Sequence, residues 1–285
     1  MKFDFRLLSI TEFEQLIKWA AHEGWDPGLN DATIFYNCFP DSFCGYFDQD
    51  RLIAGGSIVN YNQDFGFMGF FIVHPDYRGL GIGQSLWFQR RDLLLNKLKS
   101  GASIGMDGVL NMQKFYTAGG FELSFRDERR VRLGEKFDIA PAIQRINENI
   151  ELLNIIAYDK ICFGFDRNEF IKTWLTNPLA VSFYSVNEKG IINGFAVLRK
   201  TIQGHKIGPL FADNFNVAEM LYKACLNEVP QEKVFLDIPT SNTEAVQLSN
   251  KYNTDYVFEC ARMYYGSPPA IPIEKIFGIT TFELG

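Results

Sequence analysis

Phe70-Phe71-Ile72-Val73-His74-Pro75-Asp76-Tyr77-Arg78-Gly79-Leu80-Gly81-Ile82-Gly83 is the stretch whose reading decides the fold. Four apolar residues run into a proline turn, the turn feeds an arginine and three alternating glycines, and a helical run follows to Leu98. Gly79, Gly81 and Gly83 let the backbone turn tightly and approach a ligand closely. The first N–H groups of the next helix lack partners within it, and its dipole favours negative charge at that end. Strand, glycine turn and helix N-terminus therefore read as a phosphate cradle. Two common phosphate loops do not fit. A dinucleotide fingerprint spaces its glycines as Gly-x-Gly-x-x-Gly, and a P-loop follows its last glycine with Lys-Ser or Lys-Thr. Here the glycines alternate and Gln84-Ser85 follows them.

The pattern that remains, Arg-x-x-Gly-x-Gly over Arg78–Gly83, resembles the acyl-CoA pyrophosphate loop of the GNAT acetyltransferases. Val73-His74-Pro75-Asp76-Tyr77 before it and Leu86-Trp87 after it fit the same family. Working outward, Phe5–Leu8 reads as a strand, and Thr11 with Glu14 as the capping box of a helix with apolar residues at Phe13, Leu16, Ile17, Ala20 and Ala21. A short helix (Asp31–Tyr36), strands at Phe43–Phe47, Leu52–Tyr61 and Phe65–Val73, the helix Ile82–Leu98, a strand at Ser103–Met106, a helix at Asn111–Ala118 and a strand at Phe121–Arg126 follow. The resulting order, β-α-α-β-β-β, glycine loop, α-β-α-β, is that of the GNAT fold.

The second half repeats the order without repeating the sequence. A helix capped by Asp166 precedes strands at Val181–Val186, Ile191–Lys200 and His205–Phe211. A helix at Val217–Leu226, a strand at Val234–Ile238, a helix at Glu244–Tyr252 and a strand at Tyr256–Tyr265 close it. Where the glycine loop would recur stands Phe211-Ala212-Asp213-Asn214-Phe215-Asn216, with no glycine, no arginine and an acid that repels pyrophosphate. The expected fold class is thus α/β (α+β), two tandem GNAT-like units, each a mixed, mainly antiparallel sheet flanked by helices. Residues 1–130 would form the acetyl-CoA-binding unit and 131–285 a unit without the pyrophosphate loop. The charged stretch Arg126–Gln144 reads as a solvated linker or an inter-domain strand.

Composition narrows the partners. The 285 residues are 47% hydrophobic, enough for sizeable cores, and carry a net charge of −6. That balance argues against a nucleic-acid backbone, which needs clustered Lys and Arg. Cys38, Cys44, Cys162, Cys225 and Cys260 form no Cys-x-x-Cys pair and accompany no histidine cluster. They read as free thiols with no metal site. No apolar run has membrane-spanning length, and Met1–Arg6 lacks the features of a leader, so a cytoplasmic location is expected.

The resemblance also assigns roles. The backbone of Phe71, Ile72 and Val73 would pair with the pantetheine at a splayed strand, and the N–H groups of Arg78, Gly79, Leu80, Gly81, Ile82 and Gly83 would hold the pyrophosphate. Tyr116, four residues before Gly120-Phe121, matches the family tyrosine that protonates the departing thiolate. Asn111 lies near a family asparagine that contacts CoA, with a spacing to Tyr116 two residues shorter than usual. Many relatives carry a glutamate base on the central strand, but Phe67–Val73 holds no acid. Asp107 is then the substitute base, or equally a turn residue. Glu23, Trp25 and Asp26 border the family's acceptor site and are expected to bind the amine. Arg262, Tyr264 and Tyr265 are expected to face a cleft between the units, where the second unit is either a wall of the acceptor site or a cover on the first. The implied function is acetyl transfer from acetyl-CoA to a primary amine of a small molecule or polypeptide. The alternative is an acyl-CoA-binding regulatory protein without turnover. Neither the acceptor nor the oligomeric state is legible in the sequence.

Overall fold

The computed structural model describes residues 3–147 and 152–285. Met1 and Lys2, part of the stretch read for a leader, lie outside them. The chain begins with β1 (Asp4–Leu7), α1 (Ile10–His22), α2 (Asp31–Cys38), β2 (Phe43–Asp48), β3 (Arg51–Ser57), β4 (Val59–Tyr61) and β5 (Phe65–Phe67). Next come β6 (Ile72–Val73), α3 (Ile82–Lys97), β7 (Ser103–Val109), α4 (Gln113–Ala118) and β8 (Phe121–Leu133). The second half holds β9 (Ile143–Arg145), α5 (Leu153–Phe163), α6 (Asn168–Leu175), β10 (Ala180–Val186), β11 (Ile192–Lys200) and β12 (His205–Ala212). It ends with α7 (Phe215–Glu228), β13 (Lys233–Pro239), α8 (Thr243–Lys251), β14 (Asp255–Tyr265) and β15 (Ile276–Gly278). Helices flank two mainly antiparallel sheets, the expected α/β class.

Helix α1 starts earlier than the Thr11–Glu14 pair implied. Ser9 is its N-cap, and Glu12 returns a hydrogen bond to the Ser9 N–H at 2.7 Å. The same Ser-x-x-Glu signature lies two residues upstream, and Arg6 selects it by clamping Glu12 at 2.6 and 2.9 Å. Arg6 and the Ser9 groups, against a smaller opposing effect of burial, hold the Glu12 carboxyl down at about 2.

The run Phe65–Val73, read as one strand, is two. Phe65–Phe67 pairs in parallel with β7, and Met68 still bonds Gly105 O at 2.9 Å. Phe70 then adopts φ +49°, a conformation uncommon for a non-glycine residue, and Ile72–Val73 pairs with β3 instead. The chain therefore leaves one sheet and joins another within four residues. Leu52–Tyr61 divides likewise, at Ile58.

The halves are interlocked. The small sheet runs β1-β2-β3-β6, and the large one runs β4-β5-β7-β14-β8-β13-β12-β11-β10-β9, with β15 against β12. Strand β14 of the second half sits between β7 and β8 of the first, while β8 reaches across to pair with β13. The charged stretch after Arg126 is thus an inter-domain strand through Leu133, and residue 130 falls within it. Arg129 faces inward and forms a buried bidentate pair with Asp237 at 2.7 and 2.8 Å. One hydrophobic cluster also spans the halves, joining Phe13, Leu16 and Phe35 to Phe170, Trp174, Phe195 and Phe211. Among the described residues, no helix is long and apolar enough to cross a membrane.

Candidate active site

The splayed strands open a groove. The His74 N–H bonds Ile53 O on β3, and antiparallel pairing alternates, so Ile72 faces β3 while Phe71 and Val73 turn their peptide groups to the gap. Consistently, Val73 O accepts from Arg78 Nε at 2.9 Å across the gap. The loop beyond has Gly79 at φ +78° and Gly81, the N-cap of α3, at φ +76°. A Cβ at either glycine would meet nothing within 4 Å, so their outer faces are open to a ligand. The groove holds about 620 Å³ and runs past Phe71–Val73, Gly79, Gly81, Gly83, Asn111 and Tyr116. An acyl-CoA fits these features: a helix N-terminus free to receive phosphate, and gap-facing strand peptides, with Val73 O also holding Arg78, to pair with an extended amide chain.

Behind the groove lies a narrower, more enclosed cavity of about 50 Å³. Trp25, Phe71, Val109 and Tyr116 line both spaces and stand between them. Its far walls come from the second half: Phe258 and Cys260 on β14, and Phe282 and Glu283 beyond β15. Tyr116 is 4% exposed and stacks near Trp87, with its ring over Gly108. Burial pushes its phenol up, so it is protonated at neutral pH. No hydrogen bond to its hydroxyl is made among the described residues. A protonated, unbonded phenol at the junction of groove and cavity is placed to donate a proton there.

Arg90, which the sequence reading passed over, pins the splay. It is buried on α3 and donates to Ser57 O at 2.5 Å and Gly69 O at 2.6 Å, where the two sheets part. Burial lowers its pKa to about 10, so it stays charged at neutral pH. Its signal was a single arginine between Leu86 and Leu94 on the apolar face of α3, one turn from each.

The predicted acceptor residues separate. Trp25 lines both spaces, and its carbonyl is held by Arg129 at 2.7 Å and Lys206 at 3.4 Å. Glu23 edges the groove but is paired with Arg78 at 2.5 Å. Asp26 is buried away from both spaces, its carboxylate accepting from the Gln203 N–H at 2.9 Å. Asp107 does line the inner cavity, yet Arg262 grips both its oxygens at 2.6 and 2.7 Å. Arg262 also lies 3.7 Å from Asp127. Burial raises both carboxyls, and Asp127, beside the Asp107 charge, is raised the more strongly. Both Asp107 oxygens are engaged by the buried arginine, so a proton reaches them only by breaking that pair. Arg262 and Tyr264, expected to face a cleft, are 6% and 2% exposed. They line a small cavity between the halves, with Phe65 on one side and Phe163, Phe211 and Ile276 on the other, apart from the groove and from the cavity behind it.

The comparisons agree with this geometry. The acetyltransferase (GNAT) family model matches residues 10–121, and an acetyltransferase (GNAT) domain model matches residues 155–278. The chain is 30% identical over 280 residues to the holothin acyltransferase of Pseudoalteromonas sp. (strain SANK 73390), covering 97% of this chain and 92% of that one. A putative acetyltransferase from Pyrococcus horikoshii shares the fold at a TM-score of 0.83 and 21% identity, over 99% and 96% of the two chains. A tandem GNAT protein from the clavulanic acid biosynthesis pathway does so at 0.64 and 13% identity, over 94% and 100%.

Proposed function

The chain belongs to the GNAT acetyltransferase family and is an acyltransferase, and from that premise we propose that it moves the acetyl group of acetyl-CoA to a primary amine of a small, apolar molecule by direct attack. The observation that carries this reading is the position of Tyr116, with a free hydroxyl, between an open groove and a narrower aromatic cavity. When bound, the thioester supplies an activated carbonyl. The N–H groups at Gly79–Gly83 and the start of α3 hold the pyrophosphate, and the gap-facing peptides of Phe71 and Val73 hold the pantetheine arm. Asn111 edges the same groove. Trp25, Phe70, Phe71, Phe258 and Phe282 give the cavity apolar, flat walls that exclude water and favour a neutral amine over an ammonium ion. As the amine nitrogen bonds the carbonyl carbon and the C–S bond breaks, Tyr116 gives its proton to sulfur. A polypeptide acceptor fits less well, because the cavity is small and walled on its far side by the second unit.

The test is thiol release with acetyl-CoA and a panel of aliphatic and aromatic amines, alongside thermal stabilisation by acetyl-CoA. At a hundredfold excess over Kd, binding stabilises the native state by about 2.7 kcal/mol. Gly81→Val, forcing a β-branched residue into φ +76°, should abolish that stabilisation. Stabilisation without thiol release from any amine would instead favour a non-catalytic acyl-CoA-binding protein.

A further inference from the structure

The acyl-transfer reading leaves the amine's proton without an acceptor, since Phe67–Val73 carries no acid and Asp107 is bound to Arg262. Three groups on the inner cavity wall can in principle take a proton: Asp107, Cys260 and Glu283. Cys260 faces Asp107 and Asp127 in a buried setting, and burial with those two charges keeps its thiol protonated far above the usual range. Glu283 differs from both. Its carboxylate has no hydrogen bond and no ion pair among the described residues, although the residue is only 4% exposed. Unpartnered buried carboxylates are costly and rare.

The backbone around Glu283 is, in contrast, firmly held. The Thr281 hydroxyl accepts from the N–H groups of Glu283 at 3.2 Å and Leu284 at 3.0 Å, forming a tight turn. Tyr61 donates to Leu284 O at 2.7 Å, and Ser57 to Glu283 O at 3.4 Å. Ser57 and Gly69 are the residues at which the strands part. The segment therefore enters the first unit at the splay, and a hydrogen-bonded turn places Glu283, whose carboxylate has no partner among the described residues, on the wall of the cavity that Tyr116 borders.

We propose that Glu283, carried in by the second unit, is the catalytic base: it accepts the proton of the attacking amine, directly or through one water. The balance is complete. The amine nitrogen bonds the carbonyl carbon and loses a proton to Glu283; the C–S bond breaks and sulfur takes the Tyr116 proton. Glu283 then returns its proton to the phenolate, through the cavity or by way of solvent, which restores both groups.

The surroundings suit the role. Lys206 on β12, Arg199 on β11 and Arg129 on β8 face the carboxylate with positive charge, and Asp31 on α2 faces it with negative charge. Lys206 donates to Asp26 O at 2.9 Å and Arg129 is paired with Asp237, while Arg199 lies 3.2 Å from Asp31 with its guanidinium nitrogens making no hydrogen bond among the described residues. Burial outweighs the cations and raises the Glu283 pKa above its ordinary value, towards the range in which a carboxylate is a useful base. The sign for stability follows. A carboxyl raised in the native state stabilises below its unfolded pKa and loses that contribution as pH rises through the folded value.

The experiment is Glu283→Gln in the full chain, read by kinetics, acetyl-CoA stabilisation and melting at several pH values. The expected result is a fall of about 10²–10⁴-fold in kcat with unchanged stabilisation by acetyl-CoA. The acid limb of the parent's kcat/KM profile should be absent from the variant. The melting temperature at pH 8 should equal or exceed the parent's, because an isosteric neutral group replaces a buried charge. Glu283→Asp, should the amide variant not fold, should retain partial turnover with a displaced acid limb. Activity within about twofold of the parent and an unchanged pH profile, in whichever variant folds, overturns the proposal. An inactive parent would instead refute the acyl-transfer reading, so the two failures are distinct.

Discussion

Replacing Gly69 with alanine adds one methyl group at the place where the two sheets separate. Gly69 has no left-handed φ, so alanine suits its backbone and any effect comes from contact. A Cβ there would lie 2.1 Å from Glu283 O, 2.9 Å from its carbonyl carbon and 3.0 Å from its Cα. All three are backbone atoms of a segment held on its other side by Tyr61 and Thr281. An ordinary contact needs about 1 Å more separation, and only a shift of residues 281–285 provides it. Overpacking of this kind costs about 1–3 kcal/mol, which in a chain of this size lowers the melting temperature by about 2–5 °C. A displacement of about 1 Å at a reacting group costs about 10²-fold in rate. The glycine loop is untouched, so acetyl-CoA should still stabilise the variant as it does the parent. The assay is thiol release at saturating acetyl-CoA, with melting curves in its presence and absence. Full turnover with an unchanged melting temperature would show that the segment does not seat against Gly69. Loss of acetyl-CoA stabilisation as well would show a disturbance reaching the groove, and would refute the argument for a local effect.

Tyr116→Phe keeps the ring over Gly108 and removes the hydroxyl; kcat should fall about 10²–10⁴-fold with little change in acetyl-CoA stabilisation, and activity within twofold of the parent would return Tyr116 to the core. Asp107→Asn should act chiefly on stability, because removing one member of a buried pair typically costs about 3–5 kcal/mol, and Asp127 at 3.7 Å from Arg262 keeps the loss at the low end. Its turnover per folded molecule should stay within a few-fold of the parent, whereas a loss matching that of Glu283→Gln at unchanged stability would make Asp107 the base.

The features that local chemistry dictates were legible in the chain. Alternating glycines permit the positive φ that Gly79 and Gly81 adopt, and a following helix must present free N–H groups, so the glycine turn and the helix start could be read directly. The period-2 and period-3.6 runs placed most strands and helices within a few residues, because burial of one face imposes them. Tyr116 was found by its fixed distance from Gly120-Phe121. What the tertiary structure decided is who faces whom. Arg262 neutralises Asp107 from 155 residues away, and Arg129 holds Trp25 across 104. Nothing in the period of β14 distinguishes an outer strand from one inserted between β7 and β8, since either placement buries alternate residues. Glu283 lies only two residues before the last in the sequence, and nothing local marks it as different from any surface glutamate. Its surroundings come from the exchange of strands, which brings residues 281–285 to the gap where β3 and β6 part from the large sheet, and a side chain's partners and solvent are properties of that assembly, not of its neighbours in the chain.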